Sequence, residues 1–279
     1  MTEKIRLGFV GANVNSTWSS QSHFPALMAS PDVEITAVCT SRPESAEEAR
    51  QHFGAKLAFH DFREMAASPE IDAVAVVIRV PLHYEPTKAA IEAGKHVYTE
   101  WPLGRNTAEA EELASLARAK GVQTVVGLQS RVSPALLYVK DLIESGYVGE
   151  VLSCQVTTMR DGSLQRPSSR TWNLDASQGA NTLTIANGHV IDALRFVAGN
   201  FTKVACMVNA DTADVYNRYP TIHGRHVPGQ RTGMRTVGER RSSLGSCRSG
   251  SLGRRRLSDG DLRTRRHFGY HRKRLVAAR

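Results

Sequence analysis

The stretch Ile5-Arg-Leu-Gly-Phe-Val10, followed by Gly11-Ala-Asn13 and then Ser16, decides the fold of the first half of the chain. Its first six residues are largely apolar, which is typical of a parallel strand buried on both faces. Gly11, the one glycine of a G-x-G-x-x-G pattern present here, allows a tight turn before a helix whose N–H groups face a pyrophosphate. Asn13 tolerates left-handed backbone and the small Ser16 lets the helix approach closely. We therefore predict a dinucleotide site at this turn.

Further short apolar runs alternate with helical patterns after this turn. The runs cover residues 33–39, 57–59, 73–78, 96–99 and 123–127. Between them, Ser41–Glu44 and Asn106–Glu109 have capping patterns, and Gly94 and Gly146 follow predicted helices at 85–93 and 133–145. This alternation predicts an α/β fold, with a doubly wound parallel-sheet Rossmann domain over residues 1–127.

The pattern changes after Gly149. A strand is predicted at 151–157, a helix at 182–197 and a strand at 203–208, which indicates an incomplete α+β open-sheet domain over residues 128–216. Residues 217–279 hold 16 Arg and 1 Lys against 3 acids, a net charge of +14, while the rest of the chain has −5. We interpret them as a basic, Arg-rich irregular tail. Our hypothesis is an out-of-frame or otherwise abnormal C-terminus, and we favour it over nucleic-acid binding.

Composition excludes several classes of protein. The 279 residues are 41% hydrophobic and contain no apolar run of 18 or more, so we expect a protein without a membrane span. The first residues lack a secretory or transit pattern, which favours the cytoplasm. The four cysteines are far apart and form no CxxC pair. They predict scattered buried thiols and neither a metal site nor a disulfide.

The end of the second predicted strand indicates which dinucleotide is bound. NAD-preferring sites place a carboxylate there for the ribose hydroxyls, and that carboxylate would repel a 2′-phosphate. This chain has Cys39-Thr40-Ser41-Arg42 instead, a hydroxyl followed by a guanidinium. We therefore predict NADP as the cofactor, with NAD as the alternative. The competing interpretation is that Ser41 caps its helix and Arg42 is solvated.

Several motifs resemble those of the Gfo/Idh/MocA oxidoreductases. They are Gly8–Gly11, Pro81-Leu82-His83, the run from Ala93-Gly94-Lys95-His96-Val97 to Glu100-Trp101-Pro102-Leu103, and Gly146-Tyr-Val-Gly149-Glu150. The resemblance extends from residue 4 to about residue 210. Within the family, the chain is most similar to the branch that contains the fungal galactose-regulon repressor. The shared residues are Gly11-x-Asn13, Trp18, His23-Phe24-Pro25-Ala26, Glu100-Trp101 and Leu128-Gln129-x-Arg131-x-Ser133-Pro134.

The resemblance implies a dinucleotide-binding domain, a C-terminal open-sheet domain and a substrate between them. It implies cofactor contacts at Gly11, Asn13, Ser41, Arg42, Pro81, His83, Glu100, Trp101 and Gln129. Two of these positions have an alternative interpretation. His83 is either a cofactor contact or a loop histidine that is hydrogen-bonded within the protein. Glu100 is either a cofactor contact or a strand-end carboxylate bound to backbone.

The positions of the family's catalytic groups differ here. The lysine that polarises the reacting hydroxyl in family enzymes is Trp101, which offers only an indole N–H donor, and the aspartate four residues before His189 is Ile185. His189 remains a candidate acid/base, with Arg131 and Asp192 as candidate substrate contacts.

Two functions therefore stay open. The first is an oxidoreductase that transfers hydride between NADP and a sugar or polyol hydroxyl. The second is a non-catalytic NADP-binding sensor or regulator that resembles the repressor of the same branch. The resemblance also implies a homodimer formed through the C-terminal sheet.

Overall fold

A six-stranded parallel sheet forms the centre of the N-terminal domain in this computed structural model, which describes residues 3–16, 18–158, 172, 175–211 and 229–231. The strands follow the order β3-β2-β1-β4-β5-β6. This is the strand order of doubly wound dinucleotide-binding sheets, so the predicted fold class is confirmed. The strands are β1 (Ile5–Val10), β2 (Val33–Cys39), β3 (Leu57–Phe59), β4 (Ala73–Val76), β5 (His96–Glu100) and β6 (Thr124–Gly127).

Helices cover both faces of this sheet. Alternate residues of β1 point to opposite faces, so Phe9 packs in one apolar cluster with Phe24 and Phe53, while Val10 packs in the other with Met65. Both faces are buried, which explains the continuous apolar strands. The helices are α1 (Phe24–Ala29), α2 (Pro43–Phe53), α3 (Phe62–Ala67), α4 (Tyr84–Glu92) and α5 (Thr107–Lys120). A turn of π-helix at Ser19–His23 leads directly into α1.

The start of α5 follows the predicted capping pattern. Asn106 Oδ1 accepts a hydrogen bond from the amide of Glu109 at 2.9 Å, and Gly121 ends the helix with φ +66°. Gly94 and Gly146 also have positive φ directly after the helices that they were predicted to end. These local signals are reliable because each satisfies backbone groups that a helix end leaves unpaired.

The second region contains helices but little sheet. It comprises α6 (Pro134–Glu144), a π-helical segment at Thr182–Asn187 that continues into α7 (Gly188–Ala198), and the antiparallel pair β7 (Asn209–Asp211) and β8 (Gly229–Arg231). The predicted helix at 182–197 is confirmed, but the predicted strands at 151–157 and 203–208 are wrong. Neither segment has a neighbouring strand in the described part of the chain. An extended segment forms a β-strand only when its backbone is hydrogen-bonded to such a neighbour. Of the three cysteines among the described residues, Cys39 is buried as expected, whereas Cys154 and Cys206 are exposed; Cys247 lies outside the described residues.

Most of the predicted basic tail at 217–279, and of the sheet expected to form a homodimer, lies outside the described residues. The described residues all belong to one compact unit of the chain, Met1–Arg240. Within them, no helix is long and apolar enough to cross a membrane. The same residues contain no group of three or more His, Cys, Asp or Glu side chains that could hold a metal ion.

Candidate functional site

The sheet brings the candidate residues together at its carboxyl edge. β1 and β4 are neighbours, and from them the strand order continues outward in opposite directions, through β2 on one side and β5 on the other. Ligands of doubly wound sheets bind outside the carboxyl ends of the strands at such a switch point. The turns after β1, β2, β4, β5 and β6 therefore border the candidate site.

Gly11 is required by the close approach of three chain segments. Its φ is +97°, and a Cβ atom there would lie 2.1 Å from the carbonyl oxygen of Val77. Its amide donates a hydrogen bond to the carbonyl of Cys39 at 2.9 Å. Because no side chain fits here, the turn after β1 is made possible by this glycine.

Asn13 and Ser16 shape the same turn through side-chain hydrogen bonds. Asn13 Oδ1 accepts from the amide of Asn15 at 2.8 Å, and Ser16 Oγ accepts from the amide of Ser19 at 3.4 Å. Within the described residues only glycines have positive φ, so Asn13 does not adopt the left-handed backbone that asparagine tolerates. The bond to Asn15 closes the turn without it. Ser19 is fully buried, and its hydroxyl has no hydrogen-bond partner in the part of the chain that the structure describes.

Ser41 and Arg42 follow β2, and their side chains are exposed. The predicted cap at Ser41 is wrong, because α2 begins one residue later, with Arg42 as N-cap in extended backbone and Pro43 in the first turn. Ser45 Oγ, at 3.1 Å, donates to the carbonyl of Arg42 instead. Neither the Ser41 hydroxyl nor the Arg42 guanidinium has a hydrogen bond to another described residue, which leaves both available to a ligand.

Glu100 ends β5 and lies at the centre of a buried polar cluster. Its Oε1 accepts hydrogen bonds from His23 Nε2 at 2.7 Å and from the Tyr98 hydroxyl at 2.8 Å. Its Oε2 has one long contact, 3.4 Å from Gln129 Nε2. A Cβ at Gly127 would lie 2.6 Å from the Tyr98 hydroxyl, so this glycine makes room for the cluster.

The cluster keeps Glu100 ionised. Burial by itself raises the pKa of this carboxyl, but the hydrogen bonds from His23, Tyr98 and Trp18 outweigh burial and leave the pKa below its ordinary value. Burial and the charge of Glu100 together raise the pKa of Tyr98, so its hydroxyl remains a donor. The structure does not show Glu100 bound to backbone: side chains hold its carboxyl, Oε1 more closely than Oε2.

His83 lies beneath the loop after β4 and is fully buried. Its Nδ1 is 2.7 Å from the carbonyl of Pro102 and its Nε2 is 3.0 Å from the carbonyl of Ile78. Burial lowers the pKa of this imidazole. Both ring nitrogens face backbone carbonyls, and the neutral ring donates to one of them, so the geometry favours the interpretation as a loop histidine. Pro81 lies two residues earlier, in the 3-10 turn Val80–Leu82.

Trp101 connects the Rossmann domain to the second region. Its Nε1 donates to the carbonyl of Thr184 at 2.8 Å. The amide of Gly188, which would bond that carbonyl in an α-helix, instead bonds the carbonyls of Leu183 and Ile185, because this segment is π-helical. A Cβ at Gly188 would lie 2.5 Å from Trp101 Nε1, so the indole packs directly against helical backbone. The residue that stands in place of the family's lysine thus packs against the second region.

The two candidate substrate residues bind each other. Arg131 donates to Asp192 from Nε at 2.9 Å and from Nη2 at 2.6 Å, and the Asp192 side chain is only 8% exposed. The hydrogen bonds to Asp192 raise the pKa of Arg131. His189 lies one turn earlier on α7, half-buried, with its ring 6.5 Å from that of Trp101. The structure therefore brings His189 and Trp101 together and pairs Arg131 with Asp192.

Sequence reasoning assigned no role to His23, Tyr98 or Ser19. His23 and Glu100 are 77 residues apart in the chain, and no periodic pattern connects them. The one available signal was the motif His23-Phe24-Pro25-Ala26, which was part of the resemblance without a role for its histidine.

Two family models match this chain. Residues 5–128 match the model GFO_IDH_MocA, described as an oxidoreductase family with an NAD-binding Rossmann fold, and residues 134–236 match the C-terminal domain of Gal80p. The chain is 39% identical over 210 residues to dehydrogenase aclE of Aspergillus oryzae, which covers 73% of this chain and 57% of that protein. It is 30% identical to the galactose/lactose metabolism regulatory protein GAL80 of Saccharomyces cerevisiae, over 80% of this chain and 55% of that protein. The chain spans about half the length of the curated relatives it matches.

Solved structures of both kinds of relative have a similar fold. The super-repressor mutant G301R of Gal80p from Saccharomyces cerevisiae has a TM-score of 0.70 and 28% identity, covering 82% of this chain and 62% of that one. Levoglucosan dehydrogenase in complex with NADH and levoglucosan has a TM-score of 0.66 and 29% identity, covering 75% of this chain and 57% of that one. The similar proteins thus include both dehydrogenases and transcriptional regulators.

Proposed function

The chain belongs to the Gfo/Idh/MocA oxidoreductase family, with a second domain of the Gal80p C-terminal type, and from this we propose that it binds NADP at the carboxyl edge of its parallel sheet. The described residues fit a dinucleotide. Gly11 leaves no side chain at the turn after β1, and the buried Ser19 hydroxyl nearby lacks a partner. When bound, the nicotinamide ring supplies the carbon that carries hydride. Glu100 and Gln129 would hold the nicotinamide side of the cofactor.

Arg42 supports the preference for NADP over NAD. Its guanidinium is exposed at the end of β2, without a hydrogen bond to another described residue. A charge-assisted hydrogen bond to a 2′-phosphate would be available only with NADP. We expect Arg42→Gln to weaken NADP binding about tenfold or more and to leave NAD binding nearly unchanged.

Titration of the intrinsic fluorescence with NADP and NAD measures this effect. Arg63→Gln, which removes an exposed guanidinium paired with Glu85 on the outer helices, is the matched control. Equal losses of affinity for NADP and NAD in Arg42→Gln would contradict the assignment.

We propose that the chain, with its cofactor bound, acts as a sensor or regulator and does not turn over a substrate. The observation that supports it is the hydrogen bond from Trp101 Nε1 to Thr184, because it commits the family's lysine position to domain packing. Ile185 stands where the family has a carboxylate to orient His189, and Asp192 is paired with Arg131. Positions 101 and 185 therefore supply neither the cation that polarises a hydroxyl nor the carboxylate that orients the histidine in the family's enzymes.

The second candidate is an oxidoreductase that acts on a sugar or polyol hydroxyl. It is favoured by the 39% identity to a dehydrogenase and by His189, which is half-buried beside Trp101. His189 would accept the hydroxyl proton as hydride leaves the substrate carbon.

A panel of sugars and polyols assayed at high protein concentration distinguishes the two functions. NADP binding without formation of NADPH on any substrate supports the regulator. Turnover that His189→Gln abolishes, while cofactor affinity is retained, supports the enzyme.

A further inference from the structure

The two oxygens of Glu100 are bound unequally. His23 and Tyr98 both donate to Oε1, at 2.7 and 2.8 Å, while Oε2 has a 3.4 Å contact with Gln129, and a hydrogen bond from Trp18 helps to keep the carboxyl ionised. The side chain of Glu100 is 11% exposed. A carboxylate that is ionised and so little exposed is a favourable site for a cation.

The His23 ring is held firmly in this cluster. Edge-to-face contacts surround it at centroid distances of 5.9 Å to Phe9, 5.8 Å to Trp18 and 5.7 Å to Tyr98. Its Nε2 points at Glu100 from the π-helical turn that precedes α1. The ring therefore fixes where the carboxylate lies, together with the Tyr98 hydroxyl.

The described side chains that donate hydrogen bonds to Glu100 are mostly neutral. His83 lies close enough to interact with Glu100 but is kept neutral by burial, which lowers its pKa. Trp101 carries no charge where family enzymes have a lysine, and the charge of Arg131 is balanced by Asp192. Tyr98, Gln129 and Trp18 are neutral donors. Among the described donors to Glu100, His23 is the one side chain that can carry a positive charge opposite the carboxylate.

We propose that Glu100 makes the site select the oxidation state of its cofactor, so that the oxidised form binds more tightly than the reduced form. His23 and Tyr98 are positioning residues that hold this carboxylate in place. The inference rests on the proposed function, because it needs a dinucleotide with its nicotinamide at the carboxyl end of β5. A chain with this property reports the ratio of oxidised to reduced cofactor, and not only the total amount.

The physical reason is the charge of the nicotinamide ring. NADP and NADPH share every phosphate and both riboses, but the ring is a cation when oxidised and neutral when reduced. A full charge interaction at an effective dielectric constant of about 20 changes affinity by more than about tenfold at any separation under about 10 Å. The ratio of the two dissociation constants therefore reports the electric field of the site at the ring, and its change in Glu100→Gln gives the part that Glu100 contributes.

The test is calorimetric titration of the full chain with NADP and with NADPH, in the wild type and in Glu100→Gln. Wild-type protein is expected to bind NADP about tenfold more tightly than NADPH. Glu100→Gln is expected to lose most of this preference, mainly through weaker NADP binding. The matched control is Glu112→Gln. Glu112 is an exposed residue of α5 that pairs with Lys88 of α4, and its replacement is expected to keep the wild-type ratio.

A second variant separates charge from geometry. His23→Gln retains a hydrogen-bond donor but carries no charge, so the preference for NADP is expected to persist or to grow. Retention of the full wild-type preference in Glu100→Gln would overturn the assignment to Glu100. Equal wild-type affinities for NADP and NADPH would refute the inference and leave the proposed function standing, whereas failure to bind either would refute the proposed function itself.

Discussion

Replacement of Trp101 by phenylalanine tests whether the indole N–H stabilises the junction between the Rossmann domain and α7. The change removes the hydrogen bond from Nε1 to the carbonyl of Thr184, which is 2.8 Å long and partly buried, while an aromatic ring still packs against Gly188. A carbonyl left without its donor costs about 1–3 kcal/mol. The amide of Gly188 does not replace this donor, because it bonds the carbonyls of Leu183 and Ile185.

This cost corresponds to a measurable shift in thermal unfolding. For a chain of this size, 1 kcal/mol lowers the melting midpoint by about 2–4 °C, so a cost of about 1–3 kcal/mol in Trp101→Phe is expected to lower it by about 2–12 °C. Far-ultraviolet circular dichroism with heating measures the midpoint. Tyr138→Phe, which removes one polar atom from a ring that is 63% exposed on α6, is the matched control.

The reasoning would be refuted by a Trp101→Phe midpoint within about 1 °C of both the wild type and the Tyr138→Phe control. Such a result would mean that water or another donor satisfies the Thr184 carbonyl equally well. Trp101→Lys, which restores the family's residue, extends the test to function. The regulator proposal predicts that it lowers stability without producing turnover, because the carboxylate that would orient His189 is still missing at Ile185.

Four other changes give further predictions. Gly188→Ala is expected to destabilise the protein because its Cβ would meet the indole, and a double-mutant cycle with Trp101→Phe should give non-additive free energies of unfolding. Gly11→Ala is expected to lower the free energy of unfolding by more than the about 1–2 kcal/mol that left-handed backbone alone costs, because its Cβ would lie 2.1 Å from the carbonyl oxygen of Val77. Denaturant titration measures this free energy. Phe24→Ala removes a stacked ring that is 1% exposed and should cost about 3–5 kcal/mol in the same titration. The pKa of Glu100 is lower in the folded chain than in the unfolded one. The stability that this carboxylate contributes is therefore present above about pH 4.3 and is lost as the pH falls through the folded pKa. Glu100→Gln should make the melting midpoint less dependent on pH in this range.

Elements with a local cause could be predicted from the sequence. All six strands of the parallel sheet lie within two residues of their predicted bounds, because burial on both faces demands continuous apolar runs. The cap at Asn106 and the glycines after the helices were predicted correctly, since each satisfies groups only a few residues away. The strands predicted at 151–157 and 203–208 were wrong because a strand is defined by its partner, and their own residues do not specify one.

The sequence by itself determined the doubly wound sheet, the turn at Gly11 and the unusual residues at the family's catalytic positions. Only the tertiary structure decided what those residues do. It joins Glu100 to His23 across 77 residues, Trp101 to Thr184 across 83 and Arg131 to Asp192 across 61. The physical reason is how far apart in the chain the interacting residues are. Strand and helix patterns arise from contacts between near neighbours and from burial, whereas the role of a polar side chain depends on the one distant partner that the folded chain places within hydrogen-bond distance.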